Sequence, residues 1–221
     1  MRTIIVLFLF VCTVFSAQGF QQDSAFYKKN PNYNLETDFY KIYKKKQADI
    51  VFLGNSITKG VSWPELLGRD NVAGRGIPSD VLEGMLARTE TVLSLRPKIV
   101  FIMAGINDIY NWLPVETISE QYTRLISEFR EKGIRVVVQS TLYVSPRWPN
   151  AADRNREVEK LNTLMQSWCK QNGVDFLDLN PGLSISKFLR EELTYDGIHL
   201  KAEGYRLWGR EIEKLLIKYG I

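Results

Sequence analysis

Short apolar runs alternate with amphipathic stretches along most of the chain. The runs are Asp49 to Leu53, Lys98 to Met103, Arg135 to Gln139 and Asp175 to Leu179, with a weaker one at Asn71 to Ala73. They are rich in β-branched residues and continuous, which predicts strands buried on both faces. The stretches between them carry helical spacing. Ser79 to Leu95 gathers Val81, Leu82, Met85, Leu86 and Val92, with Ser79 as the expected N-cap. Glu116 to Lys132 gathers Ile118, Tyr122, Leu125, Ile126 and Phe129 and stops at Gly133. Arg154 to Gln171 gathers Val158, Leu161, Leu164, Met165 and Trp168 and stops at Gly173, and Ala202 to Tyr219 closes the chain. Strand–helix alternation implies an α/β fold, a parallel sheet with helices on both faces. In such sheets ligands bind beyond the carboxyl ends of the strands.

The first residues follow a different pattern. Arg2 precedes an uncharged, mostly apolar run from Ile4 to Phe15, and Ala17-Gln18-Gly19 offers a small-x-small cleavage site. Residues 1–19 are therefore expected to be a secretory signal peptide, which makes the mature protein secreted or periplasmic. The apolar run is short for a bilayer span, so no stable membrane insertion is expected after cleavage. Residues 20–47 are polar and tyrosine-rich and predict a lead-in segment with a short helix packed on the main domain, residues 48–221.

Composition narrows the function classes. A chain of 221 residues, 45% hydrophobic and 24% charged, can bury one substantial core. Its net charge is only +4, and Lys44-Lys45-Lys46, the one dense basic run, reads as a solvated face, so nucleic acid is not an expected partner. Signal cleavage would leave Cys169 as the single thiol, in a helical pattern that suits a core position. One histidine and one cysteine cannot make a usual zinc site, and no metal or cofactor is expected.

Polar turns stand where the strands end. The first strand runs into Gly54-Asn55-Ser56, which sets a hydroxyl at the edge of the expected site, with backbone N–H groups able to face an oxyanion. As a simpler role, Ser56 would cap the next segment. Gly74-Arg75-Gly76 is read as a turn after the second strand, and Gly105-Ile106-Asn107-Asp108 follows the third. The only histidine, His199, lies three residues after Asp196 in Asp196-Gly197-Ile198-His199. Imidazole is the usual general base near neutral pH, and an aspartate at that spacing can orient it.

The four blocks, in this order, resemble those of the SGNH hydrolases, also called the GDSL esterase/lipase family. The resemblance runs from about Asp49 to the last helix. It implies a flavodoxin-like three-layer α/β/α sandwich with a five-stranded parallel sheet, and ester hydrolysis without a cofactor. It implies Ser56 as nucleophile, His199 as base and Asp196 as the residue that orients it. It also implies an oxyanion hole made of the Ser56 and Gly76 N–H groups and the Asn107 side chain. Two positions depart from the family pattern: Asn55 replaces the usual aspartate, and Gly74 replaces the asparagine of the second block.

Aromatic residues flank the expected site. Tyr110, Trp112, Tyr143, Arg147 and Trp148 fall on the loops after the third and fourth strands, where they could stack on a sugar or line an acyl pocket. A small secreted member of the family resembles carbohydrate O-acetylesterases and short-chain acetylhydrolases, so a glycan or small-molecule acetyl ester is the expected substrate. The alternatives are a lysophospholipase or thioesterase with a longer acyl pocket, and a non-catalytic carbohydrate-binding module.

Overall fold

The computed structural model describes residues 25–221, so the expected signal peptide lies outside the described residues. After a 3-10 turn at Phe26–Lys29 come α1 (Pro31–Ile42), β1 (Ile50–Gly54), α2 (Ser56–Lys59), α3 (Trp63–Leu67) and β2 (Val72–Gly76). Then follow α4 (Leu82–Ala87), α5 (Glu90–Leu93), β3 (Ile99–Met103), α6 (Ile106–Tyr110), α7 (Val115–Arg130) and β4 (Arg135–Gln139). The last elements are α8 (Ala151–Asn172), β5 (Asp175–Leu177), α9 (Asn180–Leu183), a hairpin of β6 (Ser184–Ile185) and β7 (Phe188–Leu189), and α10 (Ala202–Tyr219).

The five long strands form one all-parallel sheet in the order β2-β1-β3-β4-β5, as the alternation of runs predicts. This is the flavodoxin-like order, and its switch point lies between β1 and β3, where the chain leaves in opposite directions and opens a crevice. Every residue of β1 and β3 is buried, which explains their continuous apolar sequences. On one face, Phe52 stacks on Trp63 with centroids 3.8 Å apart and on Phe101 at 5.0 Å, and Trp208 of α10 meets Trp63 edge-on at 4.8 Å. Aromatic pairs of this kind add about 0.5–1.5 kcal/mol each beyond their burial. The other face is covered by α4, α7 and α8, which pack on one another.

Several details differ from the sequence reading. β2 continues through Gly74, Arg75 and Gly76, so these are strand residues and not a turn after it. The helix expected over 79–95 is two short helices, and Ser79 does not cap it: Val81 does, while Ser79 has φ +59°. The break falls at Arg88, whose buried guanidinium turns inward to Asp80 at 2.8 Å and to the Gly54 carbonyl at 3.0 Å. α8 begins at Ala151, three residues early, and β5 ends at Leu177, two residues early. The β6–β7 hairpin has two residues per strand, too few to leave a periodic signal.

Candidate active site

Ser56 follows β1 as the first residue of α2. Asn55, wholly buried, accepts the Ile57 N–H at its side-chain oxygen at 3.0 Å, and its carbonyl accepts the Lys59 N–H at 3.0 Å. The turn is tight because its glycines admit close neighbours. A Cβ on Gly54 would stand 2.7 Å from the Met103 carbonyl, and one on Gly76 2.5 Å from the Lys59 nitrogen. Asn55 thus caps α2 and holds the Ser56 turn.

His199 approaches from the far end of the chain. Its Nε2 lies 2.9 Å from Ser56 Oγ, and its Nδ1 lies 2.6 Å from Asp196 Oδ2. With the Nδ1 proton donated to Asp196, Nε2 is free to accept the Ser56 hydroxyl proton. Asp196 Oδ1 also accepts the backbone N–H groups of Ile198 at 3.0 Å and His199 at 2.8 Å, which fixes the loop around the ring. Burial pushes the Asp196 carboxyl up, but the His199 ring and those two N–H groups outweigh it and hold it below the usual carboxylate range. The loop is anchored at both sides. Thr194 Oγ1 donates to the His199 carbonyl at 2.6 Å and accepts the Gly197 N–H at 2.9 Å, and Ser145 N–H donates to the Gly197 carbonyl at 2.8 Å. Gly197 has φ +109°, which only glycine adopts without strain.

Asn107 lies on α6, just past β3. Its side-chain amide donates to the Asp80 carbonyl at 2.8 Å, with the second amide proton left over. That bond brings the turn after β2 to the turn after β3. Gly76 is not part of this meeting. Ile77 N–H donates to the Gly54 carbonyl, so Gly76, one residue back on the strand, directs its own N–H and carbonyl to the opposite edge. There its carbonyl accepts the Tyr40 hydroxyl at 2.7 Å. Ser79 is the residue at the rim. It is exposed, it directly precedes Asp80, and among the described residues no acceptor takes its N–H. A left-handed φ at a serine is the signal here, and it is visible only in the backbone.

The aromatic residues divide. Tyr110 on α6 donates its hydroxyl to the Pro149 carbonyl at 3.0 Å and meets Trp148 edge-on at 6.4 Å, so these two tie the loops together. Trp112 is 72% exposed, with the Arg154 guanidinium against its ring at 3.2 Å. Arg147 pairs with Glu191 at 3.0 Å and packs its stem beside Gly197. Tyr143 turns away: burial and then Glu159 push its hydroxyl up, and its other charged neighbours, Lys187 and Asp178, lie around β5 and the hairpin. Tyr195, not singled out by spacing, stacks on the His199 ring at 5.8 Å and is 62% exposed.

The model for the GDSL-like Lipase/Acylhydrolase family matches residues 52–207. Among curated proteins, the chain is 28% identical over 177 residues to the N-acylneuraminate cytidylyltransferase of Streptococcus agalactiae serotype III, covering 77% of this chain and 41% of that protein. The chain thus spans well under half the length of the curated relatives it matches. Among solved structures, it resembles a GDSL-like lipase from Bacteroides thetaiotaomicron with a TM-score of 0.74 and 24% identity, covering 85% of this chain and 98% of the other. It also resembles a catalytic mutant of an acetylxylan esterase from Geobacillus stearothermophilus, with a TM-score of 0.63 and 17% identity over 77% of this chain and 95% of the other.

Proposed function

Since the chain belongs to the GDSL-like lipase/acylhydrolase family, we propose that it is a serine esterase that removes short acyl groups, chiefly acetyl, from carbohydrate. The observation that carries the reading is the continuous contact from Ser56 through His199 to Asp196, with steps of 2.9 and 2.6 Å. A serine hydroxyl is a poor nucleophile until a base takes its proton. His199 Nε2 takes that proton as Ser56 Oγ attacks the ester carbonyl, and Asp196 stabilises the imidazolium that forms. The imidazolium then protonates the leaving alcohol, and the acyl group stays on Ser56. Water, deprotonated by the same ring, releases the acid and restores the serine.

The developing oxyanion needs donors fixed in advance. The Ser56 N–H heads α2, where it has no partner inside the helix. The free proton of the Asn107 amide is a second donor. The third is assigned to the Ser79 N–H in place of Gly76, because Ser79 borders the Asp80 carbonyl that Asn107 holds. The exposed face of Trp112 and the rim guanidinium of Arg147 are the groups best placed for a sugar. One name among the structures points the same way, that of an acetylxylan esterase. Nucleotidyl transfer is not carried over from relatives of which the chain spans 41%. As a secreted protein, on the reading of residues 1–19, it would meet such substrates outside the cytoplasm.

The test is a chain-length series of p-nitrophenyl esters run beside acetylated glycans. The highest kcat/KM on acetate, with release of acetate from a glycan, supports the proposal. Preference for long acyl chains would replace it with a lysophospholipase or thioesterase. No turnover of any ester by a folded protein would leave a carbohydrate-binding module.

A further inference from the structure

Helix α1 and the segment after it do not close fully on the domain. Between them and α4–α5 lies a cavity of about 570 Å³. Tyr33, Tyr40 and Tyr43 form its aromatic side, and Arg75 and Arg88 line it from the domain. The walls are firmly held: Tyr33 and Tyr40 donate their hydroxyls to the carbonyls of Gly84 at 3.1 Å and Gly76 at 2.7 Å.

The two arginines are in an unusual state. Arg75 is 4% exposed, yet among the described residues no carboxylate pairs with it. It donates to the carbonyls of Thr91 at 2.9 Å and Gly74 at 2.8 Å and lies over the Tyr40 ring at 4.7 Å. Arg88, 3% exposed, pairs with Asp80, but its Nη1 makes no hydrogen bond among the described residues. A buried charge without a counter-charge is costly, and so is a buried donor without an acceptor. Burial is the main force pulling the Arg75 pKa down, and the like charge of Arg88 adds to it. Lysines 41, 45 and 46 also line the cavity, against one acid, Glu90.

We propose that this cavity is a second binding site, separate from the Ser56 site, for a small ring-bearing organic anion. Its phosphate or carboxylate head would lie at Arg75 and Arg88, and its ring against the tyrosines. The head would supply the counter-charge that Arg75 lacks and an acceptor for Arg88 Nη1, and charge-assisted bonds to arginine are the strong kind. The tyrosine faces would hold the body by stacking. The occupant would also touch the ester chemistry indirectly, because Arg88 Nη2 donates to the Gly54 carbonyl two residues before Ser56.

The probe is phenyl phosphate, titrated calorimetrically into the full protein at constant ionic strength, with phenol as its uncharged counterpart. One phenyl phosphate should bind per chain, at least tenfold more tightly than phenol. Ser56→Ala should bind it as wild type does, which makes this result independent of the esterase reading. Arg75→Gln should weaken binding at least tenfold, and Arg75→Lys should restore part of it. If Arg75→Gln fails to fold, Tyr43→Ala combined with Lys46→Gln, both at the open side, should weaken binding severalfold. Absence of saturable heat, phenol binding equally well, loss of binding in Ser56→Ala, or unchanged affinity in both sets of cavity variants would each overturn the proposal.

Discussion

Replacing Asp108 by asparagine should shift stability progressively in the variant's favour as pH rises. Asp108 is completely buried on α6, next to Asn107. Its Oδ1 accepts the Leu82 N–H at 3.0 Å, while Oδ2 has no partner among the described residues. Burial pushes its pKa from 3.8 to about 7; the Leu82, Asp108 and Gly105 N–H groups pull down without cancelling this, and the Asp80 charge adds to the rise. A carboxyl with a raised folded-state pKa binds more protons folded than unfolded between those two values. Stability is therefore highest below pH 3.8, falls as pH climbs toward about 7, and is flat above. At about 1.4 kcal/mol per pKa unit, the whole fall has a ceiling of about 4 kcal/mol. Asp108→Asn keeps an acceptor for Leu82 and has no charge to bury. Its NH₂ would stand where Oδ2 is unpaired, at a pH-independent cost of about 1–3 kcal/mol. The cost cancels when one variant is compared at two pH values. Urea unfolding followed by tryptophan fluorescence should show the gap between Asp108→Asn and wild type moving in the variant's favour by about 2–3 kcal/mol from pH 5 to pH 8. A gap constant across that range, or one moving in favour of wild type, would refute the reasoning.

Ser56→Ala should fold normally by circular dichroism and lose acylation bursts, with a drop in kcat of several orders of magnitude, roughly a millionfold in a well-studied serine hydrolase. On the proposed reading that its free amide proton serves the transition state, Asn107→Ala should lower kcat about a hundred- to a thousandfold with little change in KM; a pure KM effect would make it a substrate-binding residue instead. Trp112→Ala should weaken turnover of an acetylated glycan while sparing p-nitrophenyl acetate, and equal losses on both would assign Trp112 to loop packing. Ser79→Gly should raise stability by about 1 kcal/mol by relieving a left-handed serine and should keep activity, whereas Ser79→Pro, which lacks the N–H and cannot adopt φ +59°, should lose turnover. Activity retained in a folded Ser79→Pro protein would remove Ser79 from the oxyanion hole.

The fold was legible because its information is periodic. Continuous, β-branched apolar runs such as Ile50 to Leu53 and Ile99 to Met103 read as strands buried on both faces, and a parallel sheet follows from the helices between them. The meeting of Ser56, His199 and Asp196 was legible through family blocks, not from spacing, since 143 residues separate the serine from the histidine. What stayed hidden depends on direction. Gly76 and Ser79 are three residues apart, and the proposal of Ser79 over Gly76 rests on which strand groups face β1. That information sits in the register of Gly54 with Gly76 and in the sign of one φ angle. Tyr143 illustrates the same limit, since loop membership alone does not say which way a side chain points.

The break at Arg88 shows how the site acquires its geometry. The helical pattern over 79–95 is apolar enough to continue, yet the chain departs from helix at Arg88 and turns its guanidinium into the interior. By itself a buried ion pair adds little net stability, because desolvation offsets most of the attraction. The hydrogen bonds of this pair lie along a line of turns. Arg88 joins the Gly54 carbonyl, before Ser56, to the Asp80 carboxylate. The Asp80 carbonyl in turn takes the amide of Asn107. Turns after β1, β2 and β3 are thus linked through three side chains, two of which, Arg88 and Asp80, water scarcely reaches. An apolar pair of equal volume would pack as well and keep the Asn107 bond to the Asp80 carbonyl, but it would lose the side-chain tie between the Gly54 carbonyl and the turn after β2. The proposed oxyanion hole would require its donors to hold their places before the charge appears, and this network is the part of the fold that would hold them.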